Sequence, residues 1–139
     1  MAEAGLWRIE NLDRGVLLAD RAWVAQGFWR RGLGLLGRSG LAPGEGLILE
    51  PCGSIHTFGM RFPIDALHLD RDGRCLAVAR ALAPGRLGPL RRGVRIVIEL
   101  PAGTDAATLA GDRIHWLPRA GGGGSGAAAP PGQHAGEQA

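Results

Sequence analysis

The sequence predicts a small, mostly β domain of α+β character: a barrel-like or sandwich-like antiparallel sheet with one short amphipathic helix packed on it. Three observations predict it. About seven short stretches alternate apolar and polar residues or run apolar, turn chemistry recurs at intervals of about 8 to 12 residues, and only one substantial stretch, from Phe28, carries helical spacing.

In chain order, "LWRIENL" and "VLLADRAWVA" read as strands joined at Asp13-Arg14-Gly15, the turn residues of a hairpin. "GFWRRGLGLLGRSGL" follows, with Phe28, Gly32, Leu35 and Leu36 at helical spacing and Arg30, Arg31, Gly34 and Arg38 largely opposite, so it reads as the amphipathic helix, weakened by its glycines. "GEGLILEPC" reads as a strand, and the alternation of Cys52, Ser54, His56, Phe58 and Met60 extends the strand reading through "PCGSIHTFGM". "ALHLDRDGRCLAVARAL" is a hairpin turning at Asp72-Gly73, and "VRIVIELPAG" is a strand stopped by Pro101. "TDAATLAG" offers one helical turn with Thr104 as its N-cap, and "DRIHWLP" is the last strand.

A chain of 139 residues suits a single core, and a hydrophobic content of 45% against 21% charged is enough apolar surface to offset ordering entropy. We expect one globular domain over residues 1–118. Residues 119–139, "RAGGGGSGAAAPPGQHAGEQA", lack bulky apolar side chains and are expected to form a disordered tail. The basic residues are all arginine, and a formal charge of +3 is mild despite a pI near 10.0. The start "MAEAGLWRIENLDRG" has no leader pattern, no apolar run reaches membrane-spanning length, and two cysteines without a CxxC pair give no disulfide framework. A cytoplasmic, soluble protein with free thiols and no membrane partner is expected.

Gly32-Leu33-Gly34-Leu35-Leu36-Gly37 matches the letters of a dinucleotide fingerprint but lies within a helical pattern, where glycines allow close packing; no cofactor is expected from it. Cys52, His56 and Met60 raise the question of a metal or nucleophilic centre. On an extended strand at about 3.3 Å per residue, Cys52 and His56 stand roughly 13 Å apart, whereas ligands of one ion approach within about 4 Å. Only a tight turn at Gly53-Ser54 would bring thiol and imidazole together, with His68, Met60, Asp65 or Cys75 as further ligands and copper as the favoured ion. Asp65, inside the apolar run "PIDALHL", needs a partner if buried, with Arg61, Arg38 or the backbone amides of a neighbouring turn as candidates: it either pins a loop or lines a polar pocket with His56.

Arginines cluster as Arg30-Arg31, Arg38, Arg86 and Arg91-Arg92-Arg95; "ALAPGRLGPLRRGVR" reads as an exposed loop open to anionic partners. It carries no aromatic on which a base could stack, which makes nucleic acid an unlikely partner.

Three marks together resemble the bacterial and archaeal family called domain of unknown function 192: the Arg-x-x-Gly-Leu-x-Gly-Arg run at Arg31 to Arg38, the Ser-Ile-His-Thr-Phe-Gly-Met-Arg-Phe-Pro-Ile-Asp run at Ser54 to Asp65, and Glu99-Leu-Pro-Ala-Gly103. The likeness extends from about Leu6 to Leu117. More usual members carry Met where Leu36 stands and Asn near Phe58 or Gly59. The resemblance implies a small barrel-like fold with one helix and brings no reaction, cofactor or catalytic residue with it.

The functional expectation is a non-enzymatic accessory module that binds a small ligand or a protein through His56, Met60, Arg61, Asp65, Arg31 and Arg38, without a cofactor. Two alternatives stay open: a copper or zinc site or thiol-dependent enzyme centred on Cys52, His56 and Met60, and weak nucleic-acid binding by the arginine loop. Oligomeric state is left open.

Overall fold

The computed structural model describes residues 5–25, 39–104 and 107–119. Seven strands form one sheet: β1 (Trp7–Asn11), β2 (Val16–Ala25), β3 (Glu45–Leu49), β4 (Ile64–Leu69), β5 (Cys75–Leu82), β6 (Ile96–Pro101) and β7 (Ile114–Pro118). Their order across the sheet is β5-β4-β6-β3-β2-β1-β7, and the β2–β3 pair is parallel while the others are antiparallel. The two edge strands approach at one end, where Arg74 bridges Arg113 and the Cys75 amide donates to Asp112 O at 2.8 Å. The sheet is therefore curled into a half-barrel.

Local chemistry accounts for the hairpins. Asn11 Oδ1 accepts from the amides of Asp13 and Arg14 at 3.0 and 3.1 Å, and Gly15 supplies the positive φ of 64° that closes the β1–β2 turn. At the β4–β5 turn Asp70 Oδ1 accepts from the amides of Asp72 and Arg74, both at 2.9 Å.

Both faces of the central strands are apolar. Ile96, Ile98 and Leu100 of β6, with Leu67 and Leu69 of β4, join Ile9, Ile114 and Trp116 in a core inside the curl. The alternate residues, Val97 of β6 and Ile64 and Ala66 of β4, belong to a second core with Leu47, Leu49, Cys52 and Ile55. Burial on both sides explains why every residue of β4 is buried and why "IDALHL" shows no polar alternation.

Two expectations are corrected. Residues 52–60 form no strand; they run as irregular loop with one isolated bridge, His56 to Leu87. Thr104 and residues 107–111, the described part of "TDAATLAG", form a bend, irregular chain and a turn without a helix. The expected helix from Phe28, with Gly32 to Gly37, Arg31 and Arg38, lies outside the described residues, as does the tail beyond Arg119.

Candidate functional site

The loop of residues 51–63 covers the second core and is welded to a loop some thirty residues further on. Thr57 is the weld. Fully buried, it donates its Oγ1 proton to Ala83 O at 2.6 Å and accepts from Arg86 N at 2.9 Å, while its own amide donates to Arg86 O at 2.8 Å. Its carbonyl receives the amides of Met60 and Gly85, and Gly88 N donates to Ile55 O at 2.9 Å. Gly88 has no room to be anything larger: a Cβ there would lie 2.9 Å from Ile55 Cγ1 and 3.3 Å from His68 Nε2. Residues 51–63 and 83–95 thus form one continuous surface.

The residues singled out from the sequence divide between its inside and outside. His56 is exposed; its Nδ1 accepts from Phe58 N at 3.2 Å and its ring stacks on the Phe58 ring with centroids 4.8 Å apart. Arg61 is exposed, and Met60 is half-buried against the second core. Asp65 is buried, and its two oxygens accept from Ala81 N at 2.7 Å and Gly103 N at 2.9 Å. It pins two loops.

Cys52 is buried, and its thiol donates to Ser54 O at 3.1 Å. Thiol and imidazole therefore engage different partners. Among the described residues, no three His, Cys, Asp or Glu side chains gather where a metal ion could be held. Burial pushes the Cys75 thiol up to about 11.

Outside, the fused loops present Phe58, Leu87 and Leu90 at 50%, 65% and 76% exposure. They also carry Arg61, Arg86, Arg91, Arg92 and Arg95, five arginines in segments that contain no acid. All five are exposed and none forms an ion pair among the described residues. The contrast with the far end of the sheet is direct. There Arg8 pairs with Glu10 at 2.8 Å, Arg14 with Asp112 at 2.7 Å and Arg113 with Asp13 at 3.1 Å. The loops' formal charge of +5 exceeds the +3 of the whole chain, so the remainder is net acidic. The sequence reading found the arginines but not their neighbours: the aromatic pair His56-Phe58 reaches the arginine loop only through the weld at Thr57.

Two further polar residues are buried on the second-core face of the sheet, unmarked by any spacing. Glu99 sits in a row of cross-strand partners on the second-core face, Trp23-Leu47-Glu99-Ala66-Ala79. Its carboxyl is buried, and desolvation pushes it up to about 7. One row along, His68 opposes Val97 and Ala77; both ring nitrogens are buried and unpartnered, and desolvation lowers its pKa.

The DUF192 family model, described as Uncharacterized ACR, COG1430, matches residues 10–116. A solved protein of unknown function from Novosphingobium aromaticivorans is similar over 79% of this chain and 83% of its own, with a TM-score of 0.68 at 21% identity. A second, from Sinorhizobium meliloti and named a "putative transcription regulator", is similar over 79% of this chain and 91% of its own, with a TM-score of 0.67 at 23% identity. At such identities the likeness is one of fold. No curated protein matches.

Proposed function

The chain belongs to the DUF192 family, and from that premise we propose that it is a non-enzymatic binding module whose contact face is the fused pair of loops, residues 51–63 and 83–95. The partner is anionic. His56 and Arg61 lie on the face itself, while Met60 and Asp65 support it from below. One observation carries the reading: Arg8, Arg14, Arg21 and Arg113 each have a carboxylate within ion-pair distance, whereas the five arginines here have none among the described residues. Unmatched like charges around exposed apolar side chains cost solvation and repulsion in the free protein, and an anionic partner would recover both. The two buried free thiols suit a reducing, cytoplasmic setting.

Titration of 15N-labelled protein with a short heparin oligosaccharide, a generic polyanion, tests the reading. We expect amide shifts confined to the neighbourhood of His56, Arg61, Arg86 and Arg91-Arg92, weakening as salt is raised. Shifts spread evenly over the sheet, or centred on Arg8 and Arg113, would remove the face from consideration.

A further inference from the structure

We propose that the fused-loop face docks on anionic lipid bilayers, with Leu87, Leu90 and Phe58 entering the headgroup region and the surrounding arginines meeting lipid phosphates. The proposal rests on the binding-module reading and names its partner.

Three features of the face select a membrane surface over other polyanions. Its apolar groups are mainly aliphatic and stand outward: Leu90 and Leu87 are 76% and 65% exposed, on a segment punctuated by Pro84, Gly85, Gly88 and Pro89. Exposed leucines offer nothing to nucleic acid, which gains its affinity from stacking on aromatic faces within a basic groove. The exposed Phe58 ring already has one face against His56, with centroids 4.8 Å apart. A lipid headgroup layer, by contrast, accepts aliphatic and aromatic tips alike.

The backbone of the face is also spoken for. The amides of Thr57, Met60, Gly85, Gly88, Val94 and Arg95 all donate within the protein, so a peptide finds no strand edge to extend here. What remains is side-chain chemistry: apolar tips ringed by Arg61, Arg86, Arg91 and Arg92, all exposed and without acids in either segment. Each such arginine near an anionic leaflet raises affinity roughly fivefold.

Cosedimentation of the full chain with phosphatidylcholine vesicles, with and without phosphatidylglycerol, is the test. We expect binding only to the anionic vesicles, loss of binding as sodium chloride is raised, and at least about a tenfold drop in the double variant Leu87→Asp, Leu90→Asp. Leu17→Asp, an exposed leucine of the β1–β2 hairpin, should bind like the parent. Because the substituted leucines are exposed, unchanged thermal melting will show that the variants fold. Equal binding to both vesicle types, or binding indifferent to the leucine variants, overturns the proposal. So does failure to bind anionic vesicles together with tight, salt-sensitive binding of oligothymidylate. Heparin shifts on the face without vesicle binding sink the membrane proposal alone; absence of both sinks the binding-module reading with it.

Discussion

Asp65 Oδ1 accepts the amide of Ala81 at 2.7 Å, and Ala81 is the one described non-glycine residue at positive φ, 50°. The two facts belong together. The β4–β5 register slips between Ile64 and Ala66, so one strand carries extra chain opposite Asp65. The left-handed turn at Ala81 aims its amide into the sheet, and the carboxylate collects it along with Gly103 N. Asp65→Asn replaces one acceptor with a donor that faces an amide, and we expect a loss of about 1–3 kcal/mol in urea denaturation. Ala81→Gly relieves a conformation that disfavours a Cβ and should leave stability unchanged or raise it by about 1 kcal/mol. A clear loss in the glycine variant would show that the backbone at this position is not strained.

Thr57 makes a second, sharper prediction. Thr57→Val keeps the shape but removes the proton donated to Ala83 O and the acceptor of Arg86 N, both buried with it. We expect about 1–3 kcal/mol of destabilisation, with Thr57→Ser recovering most of it. Hydrogen exchange should locate the damage in residues 83–88 rather than in the sheet. Uniform loss of protection across all strands would mean that the weld is part of the global core.

The part of the fold legible in the sequence is the part written in adjacent residues. Asp13-Arg14-Gly15 and Asp72-Gly73 mark their own turns, and the strands beside them follow. The Cys52 to Met60 loop imitated a strand because its larger side chains alternate with Gly53, Ile55, Thr57 and Gly59. Its hydrogen bonds instead run to residues 83–88, and no local pattern encodes a partner some thirty positions away. The same distance hid the candidate face: the arginine loop has no aromatic of its own, and only Thr57 brings His56 and Phe58 to it. Asp65 was readable as a buried acid in need of partners, with Arg61, Arg38 or the backbone amides of a turn as candidates; which of these it meets, the amides of Ala81 and Gly103, is set by chain 16 and 38 residues away. Nothing in the spacing of "VRIVIELPAG" marked Glu99 as buried, because its burial depends on the cross-strand neighbours Leu47 and Ala66.

Asp112 holds together the end of the sheet where the edges meet. It accepts from Asn11 Nδ2 at 3.0 Å, Leu109 N at 3.0 Å and Arg14 Nε at 2.7 Å, while Arg80 reaches across from β5 to Thr108 O. Burial works against the charge, but the hydrogen bonds from Arg14, Asn11 and Leu109 outweigh it and hold the carboxyl down to about 2. A depressed carboxyl stabilises the fold above its unfolded value near 3.8, and that contribution is lost as pH falls through about 2. Asp112→Ala should therefore cost about 1–3 kcal/mol at neutral pH and blunt the acid limb of the stability profile. Retention of the full acid limb would assign it to other carboxylates.

Glu99 and His68 set the response at higher pH, with opposite signs. Glu99 titrates near 7 in the folded chain against 4.5 when unfolded, so the folded state keeps a proton that the unfolded state releases. Stability from this group is complete below pH 4.5 and falls as pH rises towards 7, by about 3 kcal/mol in all. His68 runs the other way: its pKa lies below 6.5, so its contribution is present above that value and is lost as pH drops. Desolvation is the leading cause of both shifts. Glu99→Gln, which cannot ionise, should match the parent near pH 4 and exceed it by about 3 kcal/mol at pH 8 in urea denaturation. A difference between Glu99→Gln and the parent that does not change with pH would mean that Glu99 meets solvent or a cation in solution, and the apolar row from Trp23 to Ala79 would no longer explain its titration.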